Sequence, residues 1–145
     1  MFLVDANVLL SAVNTASAAH RPANRWLNDA LSGTEPVAFA WIVLLAFLRI
    51  GTRAGVFTKP LSPKRALDMV EAWTVQPAGL IIHPTSRHFA ALRGLIEEAG
   101  TAGNLTTDAH LAALAVEHGA ELVSFDRDFQ RFPGVRLRLL ATAGR

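Results

Sequence analysis

Short apolar segments alternate with helical segments along this 145-residue chain, and this alternation constrains the fold more than any other feature. Strands are predicted at residues 2–4, 37–40, 80–82 and 121–125, which are mostly Val, Ile, Leu, Ala and Phe. Strands that alternate with helices predict an α/β fold, in which a mostly parallel sheet is covered on both faces. No repeat, low-complexity tract or linker divides the chain.

Six helices are predicted around these strands. Four of them cover residues 7–13, 21–31, 41–52 and 63–73, and prolines at 22 and 63 suit the first turn of a helix. Ser86 is expected to cap the fifth helix, which ends near Gly100. The sixth follows Gly103-Asn104, carries Asp108 and closes at Gly119.

Composition excludes several classes of protein. The longest apolar run, residues 37–48, is shorter than the ~20 residues that span a bilayer, so no membrane segment is expected. The absence of cysteine excludes disulfides and thiolate metal sites. No basic region or cleavage signal marks the N-terminus, so a cytoplasmic protein is expected. The hydrophobic fraction of 51% suggests apolar surface reserved for a partner.

Four aspartates occupy positions that an α/β sheet gathers at one edge. Asp5 follows the first strand, Asp108 opens a helix, and Asp126 and Asp128 follow the last predicted strand. Helix N-termini and the carboxyl ends of parallel strands meet at the edge where ligands bind. Two carboxylates about 4 Å apart repel by about 4 kcal/mol at an effective dielectric near 20. A hard divalent cation, Mg²⁺ or Mn²⁺, would justify the arrangement.

Each aspartate also has a purely structural interpretation. Asp5 could cap the first helix, Asp108 could be a first-turn acid favoured by the helix dipole, and Asp126 with Asp128 could form an Asx turn. Their joint placement on one edge favours the metal site. Three nearby polar residues could orient ligands or water, although each could equally be a cap or turn residue; they are Asn7, Thr107 and Ser124.

The arginines and histidines give less information about function than the aspartates do. Arginines crowd the C-terminal stretch at positions 127, 131, 136, 138 and 145, which is compatible either with a phosphate-bearing substrate or with a solvated basic tail. The five histidines show no spacing typical of metal ligands and are expected to be neutral surface side chains; they are His20, His83, His88, His110 and His118.

Three stretches resemble the PIN-domain ribonucleases, and specifically the VapC toxins of bacterial toxin–antitoxin pairs. They are residues 2–10 (FLVDANVLL), residues 41–50 (WIVLLAFLRI) and residues 103–134, which include TDAHLAALA and SFDRDFQRFPG. The resemblance spans the whole chain. It implies a single PIN domain over residues 1–145, with a three-layer fold around a mostly parallel sheet of about four or five strands.

The same resemblance implies a Mg²⁺- or Mn²⁺-dependent endoribonuclease that cuts transfer or ribosomal RNA. Asp5, Asp108 and Asp126 would be the catalytic metal ligands, with Asp126 acting directly or through water and Asp128 as an auxiliary acid. VapC-like proteins usually form homodimers, and a cognate VapB-type antitoxin silences them by packing over the site.

One position departs from the family pattern. The family typically carries another acid, commonly Glu, on the helix after the second strand, and the alignment places Ala46 there. The chain is therefore expected to hold one metal tightly and a second only weakly. A catalytically weak or inactive PIN domain that acts by binding RNA or antitoxin is the alternative.

A phosphatase of the haloacid dehalogenase type is a third interpretation, because its nucleophilic Asp also follows a first strand. That family needs a second acid two residues later, where this chain has Asn7, and a suitably placed lysine. The two lysines, Lys59 and Lys64, instead lie in a proline-flanked loop region.

Overall fold

A five-stranded parallel sheet forms the centre of the molecule in the computed structural model, which is described here for residues 1–142. The strand order is β3-β2-β1-β4-β5, and every neighbouring pair is parallel. The strands are β1 (Phe2–Val4), β2 (Val37–Ala40), β3 (Gly79–Ile82), β4 (Glu121–Ser124) and β5 (Leu137–Leu139). The predicted α/β class with a parallel sheet is confirmed, and β5 is the strand that the apolar pattern did not mark.

Six helices accompany the sheet, as predicted. They are α1 (Ala6–Val13), α2 (His20–Ser32), α3 (Trp41–Gly51), α4 (Pro63–Thr74), α5 (His88–Ala99) and α6 (Thr106–His118), and two 3₁₀ turns cover Gly103–Leu105 and Arg127–Arg131. The predicted Ser86 cap is wrong. Helix α5 begins two residues later, and the Thr85 hydroxyl accepts from the Arg87 N–H, because Thr85 is fixed by a contact to α6. Within residues 1–142 no helix is long and apolar enough to cross a membrane.

The core explains why the central elements have almost no polar residues. All four residues of β2 are buried, as are Leu3 and Val4 of β1 and Leu122 and Val123 of β4. Helix α6 is buried at residues 109 and 111–115, where small alanines allow close packing. Each large apolar side chain in this core contributes about 1.5–3 kcal/mol relative to its exposed state.

The order of the strands creates a switch point beside β1. The chain first adds β2 and β3 on one side of β1, and then crosses to add β4 and β5 on the other side. Val4 pairs with Val123, and the Asp5 N–H donates to the Val123 carbonyl at 3.0 Å. The residues that follow β1 and β4 therefore leave the sheet side by side, where open α/β sheets bind their ligands.

Candidate active site

A buried serine organises the residues that leave β1 and β4. Among residues 1–142, Ser124 is the one polar residue that is fully buried. Its hydroxyl donates to Asp5 Oδ2 at 2.7 Å and accepts from Asn7 Nδ2 at 3.0 Å and from the Asp126 N–H at 2.9 Å. The structure thus brings together two predicted auxiliary residues, Asn7 and Ser124, around Asp5. Ser124 orients the Asp5 carboxylate directly, and Asn7 does so through Ser124.

Asp5 has both of the roles considered from the sequence. It is the N-cap of α1, and its Oδ1 accepts from the Ala6 N–H at 2.7 Å. The cap and the serine each use one lone pair of a carboxylate oxygen, which leaves acceptor capacity on both oxygens for a further ligand. The capping interpretation and the metal interpretation are therefore compatible.

Asp126 and Asp128 form the Asx turn that was considered for them. The Asp126 Oδ1 accepts from the Asp128 N–H at 2.8 Å, at the start of the 3₁₀ turn after β4. Asp126 is partly buried and Asp128 is exposed. This turn fixes the Asp126 carboxylate near the switch point, and the Asp128 side chain lies further out.

Asp108 meets the other acids from α6. It lies in the first turn of this helix, and its carboxyl group is half-buried. Burial, followed by the negative charges of Asp5, Asp126 and Asp128, raises the pKa of Asp108 to about 6. Burial also raises the pKa of Asp5, against the lowering effect of the hydrogen bonds from Ser124 and Ala6, and the Asp126 charge adds to the increase. The four acids therefore converge and repel one another.

A cavity of about 180 Å³ opens beside the two central acids. Asp5 and Asp108 line it together with Thr107, the third predicted auxiliary residue, and with Ala46 and Arg49 of α3. Ala46, the position where the resemblance leads us to expect another carboxylate, thus borders the acidic cavity. The sequence placed Arg49 on α3 but gave no reason to expect it in this cavity; its spacing of three residues from Ala46 was the available signal.

The donor set suits a hard cation that keeps part of its water shell. Within residues 1–142, no group of three acidic or histidine side chains could hold a metal ion by itself. Asp5 and Asp108 supply carboxylate oxygens beside a cavity large enough for an ion and several waters. Mg²⁺ is commonly held by one or two carboxylates and water. Asp5 and Asp108 fit such an ion and would be the residues that hold it.

Two histidines differ from the prediction of neutral surface side chains. Glu117 of α6 accepts from His88 Nδ1, and His88 Nε2 lies 2.9 Å from His110 Nδ1. Glu117 also accepts from the Thr85 N–H at 2.9 Å and from the Thr85 hydroxyl at 2.5 Å. We call Thr85, His88, His110 and Glu117 the histidine cluster. It joins α5 to α6, away from the acidic cavity, and no spacing rule predicted it.

Two of the four arginines described in the basic C-terminal stretch bind other parts of the fold. Arg138 pairs with Glu121 at 3.0 Å and lies over the Phe2 ring at 4.9 Å, and Arg136 donates to the Gly119 carbonyl. Arg127 and Arg131 are exposed, and position 145 lies outside the described residues. The solvated-tail interpretation is wrong for Arg136 and Arg138, because both bind other parts of the chain.

The fold is that of a known class. The PIN domain family model matches residues 2–135. The chain belongs to the PIN-domain family. The haloacid dehalogenase interpretation therefore has no remaining support, and neither lysine lines the acidic cavity.

Relatives narrow the class further. The chain is 52% identical over 136 residues to Ribonuclease VapC37 of Mycobacterium tuberculosis, which covers 94% of both proteins. This identity places it among the VapC ribonucleases, as the sequence motifs predicted.

Solved structures share the fold at low sequence identity. The crystal structure of VapBC2 from Rickettsia felis, bound to a DNA fragment from its promoter, matches with a TM-score of 0.70 at 19% identity, covering 97% of this chain and 98% of the other. M. tuberculosis VapC20, described as a sarcin–ricin loop cleaving toxin, matches with a TM-score of 0.65 at 20% identity, covering 94% and 99%.

Proposed function

We propose that this VapC ribonuclease is a Mg²⁺- or Mn²⁺-dependent endoribonuclease and the toxin of a type II toxin–antitoxin pair. The observation that carries the proposal is the convergence of Asp5, Asp108 and Asp126 at the switch point, with the pKa of both Asp5 and Asp108 raised by burial and mutual repulsion. Such an arrangement is costly unless a cation compensates it.

Each residue of the site has a definable role in this proposal. Asp5 and Asp108 hold the ion, and Asp126 positions water beside it. Ser124 fixes the Asp5 carboxylate through its hydrogen bond, and Asn7 in turn fixes the Ser124 hydroxyl. When bound, the ion lowers the pKa of water and offsets negative charge that develops on a phosphodiester. Thr107, exposed at the cavity wall, is available to orient substrate or water.

The partners follow from the relatives. A toxin–antitoxin complex from Klebsiella pneumoniae shares the fold, as does VapBC2, and we extend this assembly to a VapB-type antitoxin for the present chain. The exposed apolar side chains Trp41 and Leu45 of α3, on the helix that borders the cavity, are compatible with such a partner. A homodimer and a structured RNA substrate, transfer or ribosomal, complete the proposal.

The decisive experiment compares wild type with Asp5→Asn on a panel of transfer and ribosomal RNAs, with Mg²⁺ and with EDTA. We expect both Asp5→Asn and EDTA to reduce cleavage more than about 100-fold, because even the outer partners of metal ligands are worth about 10–100-fold. Asp29→Asn, an exposed aspartate of α2, is the matched control and should cleave as wild type does. Cleavage that persists in EDTA and in Asp5→Asn would refute the metal-dependent mechanism.

Ala46 favours one other candidate function, that of a PIN domain that binds RNA or antitoxin but does not cleave RNA. The side chain borders the cavity, so a carboxylate is missing from the wall itself. In that case wild type would bind antitoxin tightly yet leave every RNA of the panel intact, and its expression without antitoxin would be harmless.

A further inference from the structure

Arg49 is a cation in an acidic cavity that it does not neutralise. It lines the same wall as Asp5 and Asp108, and its side chain is exposed. The ion pairs formed within residues 1–142 do not include it, so no carboxylate of these residues lies within 4.0 Å of its guanidinium nitrogens. Its donors remain available to a ligand.

The position of Arg49 in α3 does not by itself account for this placement. Arg49 lies in the last turn of the helix, where a cation gains about 0.3–1 kcal/mol from the helix dipole. The helix dipole would favour a cation at any exposed position in the last turn of α3. It does not explain why the cation lies on the side of the helix that lines the cavity with Asp5 and Asp108. A planar guanidinium can bind phosphate oxygens through two parallel hydrogen bonds. Carboxylates have no such donors, so a cavity lined by them alone offers no hydrogen bond to an anionic substrate.

Ala46 explains why Arg49 remains unpaired. Residues three apart on a helix are neighbours, so a glutamate at position 46 would lie beside Arg49 on the cavity wall. Such a pair would neutralise the guanidinium and occupy its donors. The missing acid and the unpaired arginine are therefore two aspects of one arrangement.

We propose that Arg49 is a substrate-binding residue that holds a phosphate group of RNA at the carboxylate cavity, and that Ala46 keeps it free to do so. The inference rests on the proposed nuclease function, because RNA is the anion it names. It assigns to Arg49 a positive charge that binds a substrate phosphate in the same cavity that Asp5 and Asp108 line.

Binding of a fluorescein-labelled oligoribonucleotide, measured by anisotropy with Ca²⁺ in place of Mg²⁺ over a series of KCl concentrations, tests the proposal. We expect Arg49→Ala to raise Kd about 10-fold at low salt, since it removes a charged hydrogen-bonding group. The slope of log K against log salt should fall by about 0.7, the value for one phosphate contact on a single strand. Arg49→Lys keeps the charge without the fork and should give an intermediate Kd.

Arg53→Ala is the matched control, because Arg53 is equally exposed but lies beyond the end of α3 and outside the cavity wall. Arg53→Ala should change Kd less than about twofold, because Arg53 contributes only to the overall positive electrostatic potential and does not contact the RNA phosphate. An equal loss in Arg49→Ala and Arg53→Ala would overturn the proposal, as would wild-type affinity in Arg49→Ala or no measurable RNA binding by wild type.

A double-mutant cycle tests the role of Ala46. Ala46→Glu should weaken RNA binding more in wild type than in Arg49→Ala, because only wild type has a guanidinium to sequester. If Ala46→Glu weakened RNA binding equally in both backgrounds, the added carboxylate would simply repel RNA. That result would overturn the proposed link between Ala46 and Arg49. Failure of the inference is separable from failure of the function. Arg49→Ala with normal RNA binding, alongside loss of cleavage in Asp5→Asn, would refute the inference alone.

Discussion

The molecule contains two clusters of ionisable side chains that differ in how their charges are balanced. At the switch point, Asp108 meets three other carboxylates, and their charges add to the effect of burial on its pKa. In the histidine cluster, the Glu117 side chain is 1% exposed, yet it accepts three hydrogen bonds from Thr85 and His88. Burial alone would raise the pKa of Glu117, but these hydrogen bonds outweigh it and hold the pKa below its usual value.

The histidine cluster is also consistent in its proton positions. If His88 donates from Nδ1 to Glu117 and carries no second proton, its Nε2 can accept from the N–H of His110 Nδ1. Burial, followed by the neighbouring His88, lowers the pKa of His110 and keeps it neutral, against the opposing effect of Glu117. A satisfied cluster is a structural connection, here between α5 and α6. An unbalanced cluster favours a bound cation, because a cation offsets the repulsion at a pH where the carboxyl groups are ionised.

Metal binding should separate the two clusters most clearly. Mn²⁺ titrated into wild type by calorimetry is expected to show one tight ion per chain, since the carboxylate at position 46 is missing. A free concentration about 100 times Kd should raise the free energy of unfolding by about 2.7 kcal/mol. Asp108→Asn should lose this gain and Glu117→Gln should keep it. Two tight ions in wild type would contradict the one-metal site.

Removing the charge of the histidine cluster should destabilise the fold without affecting the site. Glu117→Gln replaces an acceptor with an amide whose N–H₂ group faces a donor, and we expect the free energy of unfolding to fall by about 2 kcal/mol. Urea denaturation measures this loss. Glu97→Gln on α5, an exposed carboxylate 3.7 Å from Arg93, is the control and should change stability by less than about 0.5 kcal/mol. Unchanged stability in Glu117→Gln would contradict the proposed structural role of the histidine cluster.

Acidification should have opposite effects on the two clusters in metal-free protein. The folded-state pKa of Asp108 is raised from 3.8 to about 6, so its charge destabilises the fold above pH 6 and this cost disappears as the pH falls towards 4. Asp108→Asn should therefore stabilise the protein by about 1 kcal/mol at pH 7, with solvent screening allowed for, and by nothing near pH 4.

Glu117 has the opposite sign, because its folded-state pKa is lowered from 4.5. Its stabilising contribution is present above pH 4.5 and disappears as the pH falls through the folded-state pKa. The difference between wild type and Glu117→Gln should therefore shrink below pH 4.5. Urea melts at a series of pH values, in EDTA, measure both differences. Parallel pH profiles for the two variants would show that the clusters do not differ in charge balance.

The parts of the fold that follow local rules could be predicted from the sequence. Runs such as residues 37–40 are apolar on both faces because parallel strands are buried on both sides, and Gly119 ends α6 because its φ of +62° suits glycine. β5 was not marked, because Leu137–Leu139 lies at the edge of the sheet and alternates with an exposed arginine. Strand order was also not predicted, since pairing is decided between segments far apart in the chain.

The sequence predicted only those features of the site that depend on the direction in which the strands and helices run. Asp5, Asp108 and Asp126 were placed on one edge because strands and helices in such folds have fixed polarity. The central role of Ser124, the place of Arg49 in the cavity wall and the histidine cluster all depend on which side chains meet across elements. His88 and His110 are 22 residues apart and belong to different helices, so no periodicity within one segment could relate them.

The hydrogen bond between Ser124 and Asp5 joins residues 119 positions apart, across the two central strands of the sheet. During synthesis, Asp5 leaves the ribosome long before Ser124, Asp126 and Asp128 have been added. The nascent chain therefore has no complete carboxylate site until residues 121–128 are made and β4 has paired with β1. A ribosome that makes this protein is thus exposed to a complete carboxylate site only after β4 has left its exit tunnel.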